Sequence, residues 1–128
     1  DAGPVSSKVT APSAEAIATH IQVSSTAYTR ATLRAQARHL WHHPHAELQP
    51  LGAESPAIGP IGTTVGVTEC LAALGLQSDR AIVDLALYDG VPAAIVVTDG
   101  AGGRQVRVVT RQCGAQSDAM LAGPATVP

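Results

Sequence analysis

Apolar residues Ile17, Ile21 and Val23 within 16–24 predict a short strand that carries Ile21 and Val23 on one face. Leu33, Ala37, Leu40 and Trp41 then recur at i, i+4, i+7 and i+8, the spacing of a stripe that a helix buries. Thr29 stands where an N-cap is expected, and Pro44 disfavours helical backbone in the residue before it. The helix is therefore expected over 30–42.

Between Pro44 and Gly66 the chain carries Pro44, Pro50, Pro56 and Pro60 with Gly52, Gly59, Gly62 and Gly66. That spacing predicts a long functional loop or an extended segment laid over the core. Thr68 is placed to cap a short helix through Glu69–Leu74, and Gly75 to stop it. In the second half Val83, Leu85 and Leu87 alternate, and Asp89-Gly90 suits a type I′ hairpin turn. The return strand runs from Val91 to Thr98, with Pro92 pointing to a strand start or an edge. A Gly-rich turn at 99–103 leads into Gln105–Arg111, where Val106 and Val108 are expected inside and Arg107 and Arg111 in water. Residues 119–127 supply a further strand. The fold expected is α+β, an antiparallel meander of three to four strands with two helices on one face. Asp84, alone among apolar neighbours and opposite Val83, Leu85 and Leu87, is expected in solvent.

Composition narrows this picture. A chain of 128 residues makes one domain. Phe is absent and aromatics are Trp41, Tyr28 and Tyr88 alone, so the core is aliphatic and a wide aromatic cofactor pocket is disfavoured. A net charge of −2 leaves no bulk attraction for nucleic acid or anionic lipid. Residues 1–15 are small and polar and read as a linker, with no signal-peptide pattern in them. No apolar run is long enough to span a membrane.

Candidate chemistry is sparse. His39 and His43 share a helical face and could clip a metal, with His45 or Glu47 as a third ligand. A helix C-terminus favours imidazolium without any metal, and titration near pH 6 would make the same cluster a pH sensor. Arg30, Arg34 and Arg38 form a stripe that could meet an acidic partner or simply be the solvated side of the helix. The P-loop, the GxGxxG fingerprint and the nucleophile elbow are all missing, so neither a cofactor nor an enzyme activity is expected. Cys70 and Cys113 are the only cysteines, without CxxC spacing; they are either a bridge or two buried thiols.

Three stretches carry a family likeness: Cys70-Leu71-Ala72-Ala73-Leu74-Gly75, Tyr88-Asp89-Gly90-Val91-Pro92-Ala93-Ala94, and the Val-rich strand that ends in Cys113. Gly114–Asp118, Leu121, Val127-Pro128 and Gly59-Pro60-Ile61-Gly62 follow the same rhythm. Together they resemble the extracytoplasmic domain of actinobacterial membrane-anchored anti-sigma factors, most nearly the mycobacterial anti-sigma-M type. The resemblance covers about residues 59–128, with looser parallels at 16–45.

It implies a disulfide between Cys70 and Cys113. It also implies a sensor domain over 16–128 outside the membrane, with 1–15 as a juxtamembrane linker. A cytoplasmic domain not in this chain would bind the cognate sigma factor, while an envelope ligand or protein would be the external partner. The rival expectation is a secreted, disulfide-stabilised envelope binding module with a ligand between helix 30–42 and the sheet. A metal-dependent hydrolase built on the histidines ranks below both.

Overall fold

A computed structural model describes residues 18–44, 60–76, 78, 80–100, 102–114 and 120–128. Strand β1 (Ala18–Tyr28) is followed by helix α1 (Leu33–His42), a single 3-10 turn (Pro60–Gly62) and helix α2 (Thr64–Ala73). Strands β2 (Arg80–Tyr88), β3 (Val91–Gly100), β4 (Gly103–Val109) and β5 (Met120–Thr126) then complete a five-stranded sheet in the order β1-β2-β3-β4-β5. The expected meander is β2 to β5, all antiparallel. The extra strand is β1, which lies parallel to β2 with Ile21 opposite Val83 and Tyr28 opposite Tyr88. A parallel neighbour needs a long crossover, and both helices are in it.

The helices cover opposite faces of the sheet, which corrects the expectation of a single covered face. Alternate residues of a strand point to opposite sides. Ala81, Val83 and Leu85 of β2 therefore join Ile61, Val67, Cys70 and Leu71 under α2. Ile82 and Ala86 join Leu33, Ala37, Leu40 and Trp41 under α1. β2 is buried from Ala81 to Ala86 without a break. Burying one such aliphatic side chain stabilises the fold by roughly 1.5–3 kcal/mol, so each face is a substantial core. Val23 and Leu87 stay exposed at 50% and 39%, on the side of the sheet that carries α2.

Local chemistry explains most boundaries. Asp89 and Gly90 take φ of 50° and 82°, the paired positive values that the type I′ turn needs. Pro92 sits at the start of β3, ahead of Ala94, where pairing with β4 begins. Gly75 ends α2 in the left-handed region at φ 72°, and its N–H donates to Ala72 O at 3.0 Å. The cap of α2, however, is Thr63, whose hydroxyl accepts from Gly66 N at 2.9 Å. Thr68 lies inside the helix and donates to Thr64 O at 3.0 Å. Burial of Val67 and Gly66 thus extends a helix through residues of weak propensity, and the expected loop is shorter than 44–66. Its residues 45–59, like 1–15, lie outside the described residues. At α1, the N-cap is Thr32, while Thr29 Oγ1 accepts from Thr32 N at 3.2 Å one turn earlier.

Two arginines expected in water are not there. Arg107 is 9% exposed, with Nη2 donating to Gln105 Oε1 at 3.0 Å. Arg111 is half-buried and caps the sheet where strand pairing stops, donating to Ala93 O at 3.2 Å and Ala86 O at 3.1 Å. Burial lowers the pKa of both guanidiniums.

Cys70 and Cys113 form a disulfide, with Cα atoms 5.0 Å apart. It joins α2 to the chain just past β4, at 0% and 1% exposure. At the far end of α1, Trp41 lies between the guanidiniums of Arg80 (4.2 Å) and Arg104 (4.6 Å), a double cation–π clamp on the helix C-terminus.

Candidate functional site

The α1 face holds a polar row inside an otherwise apolar interface. β1 places Gln22, Ser24, Thr26 and Tyr28 on this side by their period of two, and β2 adds Asp84 opposite Gln22. Asp84 is 1% exposed, which overturns its expected solvent position. The reason is the second helix face: the strand face opposite Val83 and Leu85 is covered by α1 instead of water.

The carboxylate is held by hydroxyls. Ser24 Oγ donates to Asp84 Oδ2 at 2.9 Å, and Tyr28 OH donates to the same oxygen at 2.8 Å. Bonds to a charged acceptor are worth about 1.5–3 kcal/mol each when neither partner is left orphaned. Burial pushes the Tyr28 phenol well above its ordinary value, and the Asp84 charge and hydrogen bond push it further. Asp84 Oδ1, equally buried, has no hydrogen-bond partner among the described residues. Arg111, on the adjoining end of the sheet, feels the Asp84 charge.

Above this row lies a cavity of about 220 Å³ between β1 and the edge of α1. Asp84, Gln22, Thr26 and Tyr28 form its sheet side, and Gln36, His39, Leu40 and His43 its helix side. Gln36 is positioned by Thr32 Oγ1, which donates to its Oε1 at 2.6 Å. Gln22 Oε1 lies 3.3 Å from His20 Nε2.

The structure brings together only some of the residues singled out by pattern. His39 and His43 share a face as expected, with ring centroids 4.9 Å apart at the cavity mouth. His45 lies outside the described residues. Among the described residues no group of three or more His, Cys, Asp and Glu is placed to hold a metal. The arginine stripe is exposed and divided: Arg34 Nε donates to Thr126 O at 2.7 Å and so ties α1 to β5. Arg30 shares a groove with Arg34, Tyr88 and Leu121, while Arg38 stands beside His42 and His43. The residues missed by pattern reading are Asp84, Ser24 and Tyr28. The alternating polar positions 22, 24, 26 and 28 were the available signal.

The described residues build a two-faced, disulfide-stapled sheet domain with a buried polar row beneath a cavity. The chain belongs to the family described as the C-terminal extracellular domain of the anti-sigma factor RsmA, whose profile matches residues 22–127. It is therefore the extracellular domain of an anti-sigma factor, a regulator whose cytoplasmic part takes a sigma factor as partner. No curated protein and no solved structure matches the chain. Among the described residues no helix is long and apolar enough to cross a membrane.

Proposed function

We propose that this domain is the external sensor of a single-pass anti-sigma factor that controls an extracytoplasmic-function sigma factor. Residues 1–15 then serve as the juxtamembrane linker, a role that their small polar composition suits. The domain acts by binding and not by catalysis. An envelope ligand or protein changes its conformation, opens the anchored protein to regulated proteolysis and so releases the sigma factor. The observation that carries this reading is the family match over residues 22–127, which includes both bridged cysteines.

The test uses the full-length parent in its own cells with a reporter for the cognate sigma factor. Replacing residues 16–128 by an unrelated folded domain is expected to uncouple the reporter from envelope stress while the cytoplasmic part still binds the sigma factor. A reporter that responds to stress as before would overturn the sensor role. A parent that carries only a cleaved signal peptide upstream of Asp1 would support the secreted binding module instead.

A further inference from the structure

We infer that the cavity between α1 and β1 is a binding site for a small organic ammonium ion, with Asp84 Oδ1 as its anchor. The inference goes beyond the sensor reading, because it concerns what this pocket binds whether or not binding is signalled.

Three observations carry it. The first is the orphaned acceptor: Asp84 is 1% exposed, and its Oδ1 has no hydrogen-bond partner among the described residues. A buried carboxylate with neutral hydroxyls on one oxygen and no described donor on the other is costly unless a charged donor completes it. The second is the count of free acceptors. Oδ2 is already taken by Ser24 and Tyr28, at 2.9 and 2.8 Å. A guanidinium wants both oxygens of a carboxylate in a planar fork, whereas an ammonium is a point charge with three independent donors. One open oxygen therefore selects ammonium. Thr26 and Gln36 line the same cavity and offer side-chain oxygens to the remaining donors.

The third is the shape and lining. About 220 Å³ is room for several water molecules and so for a cation with a short carbon body. Ala35 and Leu40 give that body an apolar wall, and the histidine pair stands at the mouth. Low exposure also means weak screening, so the carboxylate discriminates charge at the pocket floor more strongly than a surface acid would. Arg111 draws on the same negative charge and donates to the Ala86 and Ala93 carbonyls, while Oδ1 accepts no hydrogen bond from a described residue.

The experiment is an NMR titration of the disulfide-intact domain with propylammonium chloride at constant ionic strength. The ¹³C-carboxyl signal of Asp84 and the amide signals of β1 and α1 are followed. Saturable shifts at Asp84, Thr26 and Gln36 are expected. 1-Propanol, which has the same body without the charge, is expected to bind about ten- to a hundredfold more weakly. Asp84→Asn keeps the side-chain size and is expected to abolish the saturable shifts.

Should Asp84→Asn fail to fold, Ala35→Leu closes the mouth from an exposed helix position and is expected to abolish binding with the fold intact. Three results would overturn the inference: no saturable shift in the wild type, propanol binding as well as propylammonium, or undiminished binding in Ala35→Leu. Each removes the pocket's ligand class and leaves the reporter experiment on the parent protein to decide the sensor role separately.

Discussion

Breaking the Cys70–Cys113 bridge perturbs this domain in a way whose size can be worked out from its position. The two cysteines are 43 residues apart in sequence, and the enclosed segment runs from the last turn of α2 through β2, β3 and β4. In the chain-entropy account a closed loop of that length removes about 13 cal/mol/K from the unfolded ensemble, or about 4 kcal/mol at room temperature. The effect is large because the bridge is non-local: it joins a helix on one face to the end of the fourth strand. For a domain of this size it corresponds to a melting temperature lower by roughly 15 °C.

The assay is urea unfolding of the oxidised protein, the same protein under reductant, and Cys70→Ala/Cys113→Ala. Reduction isolates the cross-link. The alanine pair adds the loss of two sulfurs that are 0% and 1% exposed, so it is expected to be the less stable of the two. Both uncross-linked forms are also expected to show a larger urea dependence, since such a chain exposes more surface on unfolding. A loss below about 1 kcal/mol with an unchanged urea dependence would refute the reasoning, because it would mean the bridge constrains neither state.

The buried polar row yields a second expectation. Tyr28→Phe removes one of the two donors to Asp84 Oδ2 and is expected to cost about 1–3 kcal/mol, read as a shifted urea midpoint. The Tyr28 phenol is raised in the folded state, so its contribution is complete below pH 10 and fades above it, as the unfolded chain ionises first. Absorbance titration of the folded protein and of folded Tyr28→Phe is accordingly expected to give the same step near pH 10, and a larger step in the wild type would contradict the buried bond.

Gly123→Ala is expected to destabilise β5 by about 1–3 kcal/mol, because φ is 94° there and a Cβ would lie 2.7 Å from Val106 O. Faster hydrogen exchange at Val106 and Val108 would report it. Trp41→Ala is expected to cost about 3–5 kcal/mol through lost burial and the loss of both arginine contacts, with the wild-type indole poorly accessible to a neutral quencher.

Much of the architecture was legible before any coordinates. The alternation of Val83, Leu85 and Leu87, the Asp89-Gly90 turn and the spacing of Leu33, Ala37, Leu40 and Trp41 are local signals, and the structure obeys each. Local signals carry because backbone sterics and side-chain period act within a few residues. The start of α2 was not legible in the same way. Thr64, Val65 and Gly66 are weak helix formers, and the helix forms there because Val67, Cys70 and Leu71 are buried against the sheet.

The site was the least legible part. Period-two patterning shows that Asp84 and Val83 face opposite ways, yet it says nothing about what covers either face. Only the tertiary arrangement, with α1 on one side, α2 on the other and β1 inserted parallel at the edge, decides that Asp84 is buried. The same arrangement places Ser24 and Tyr28 against it across some sixty residues of sequence. Sequence alone determined the hairpins, the helical stripe, the aliphatic core and the family to which the two cysteines pointed. Tertiary structure decided the second buried face, because long-range packing, unlike turn chemistry or side-chain period, has no signature within a few residues of the chain.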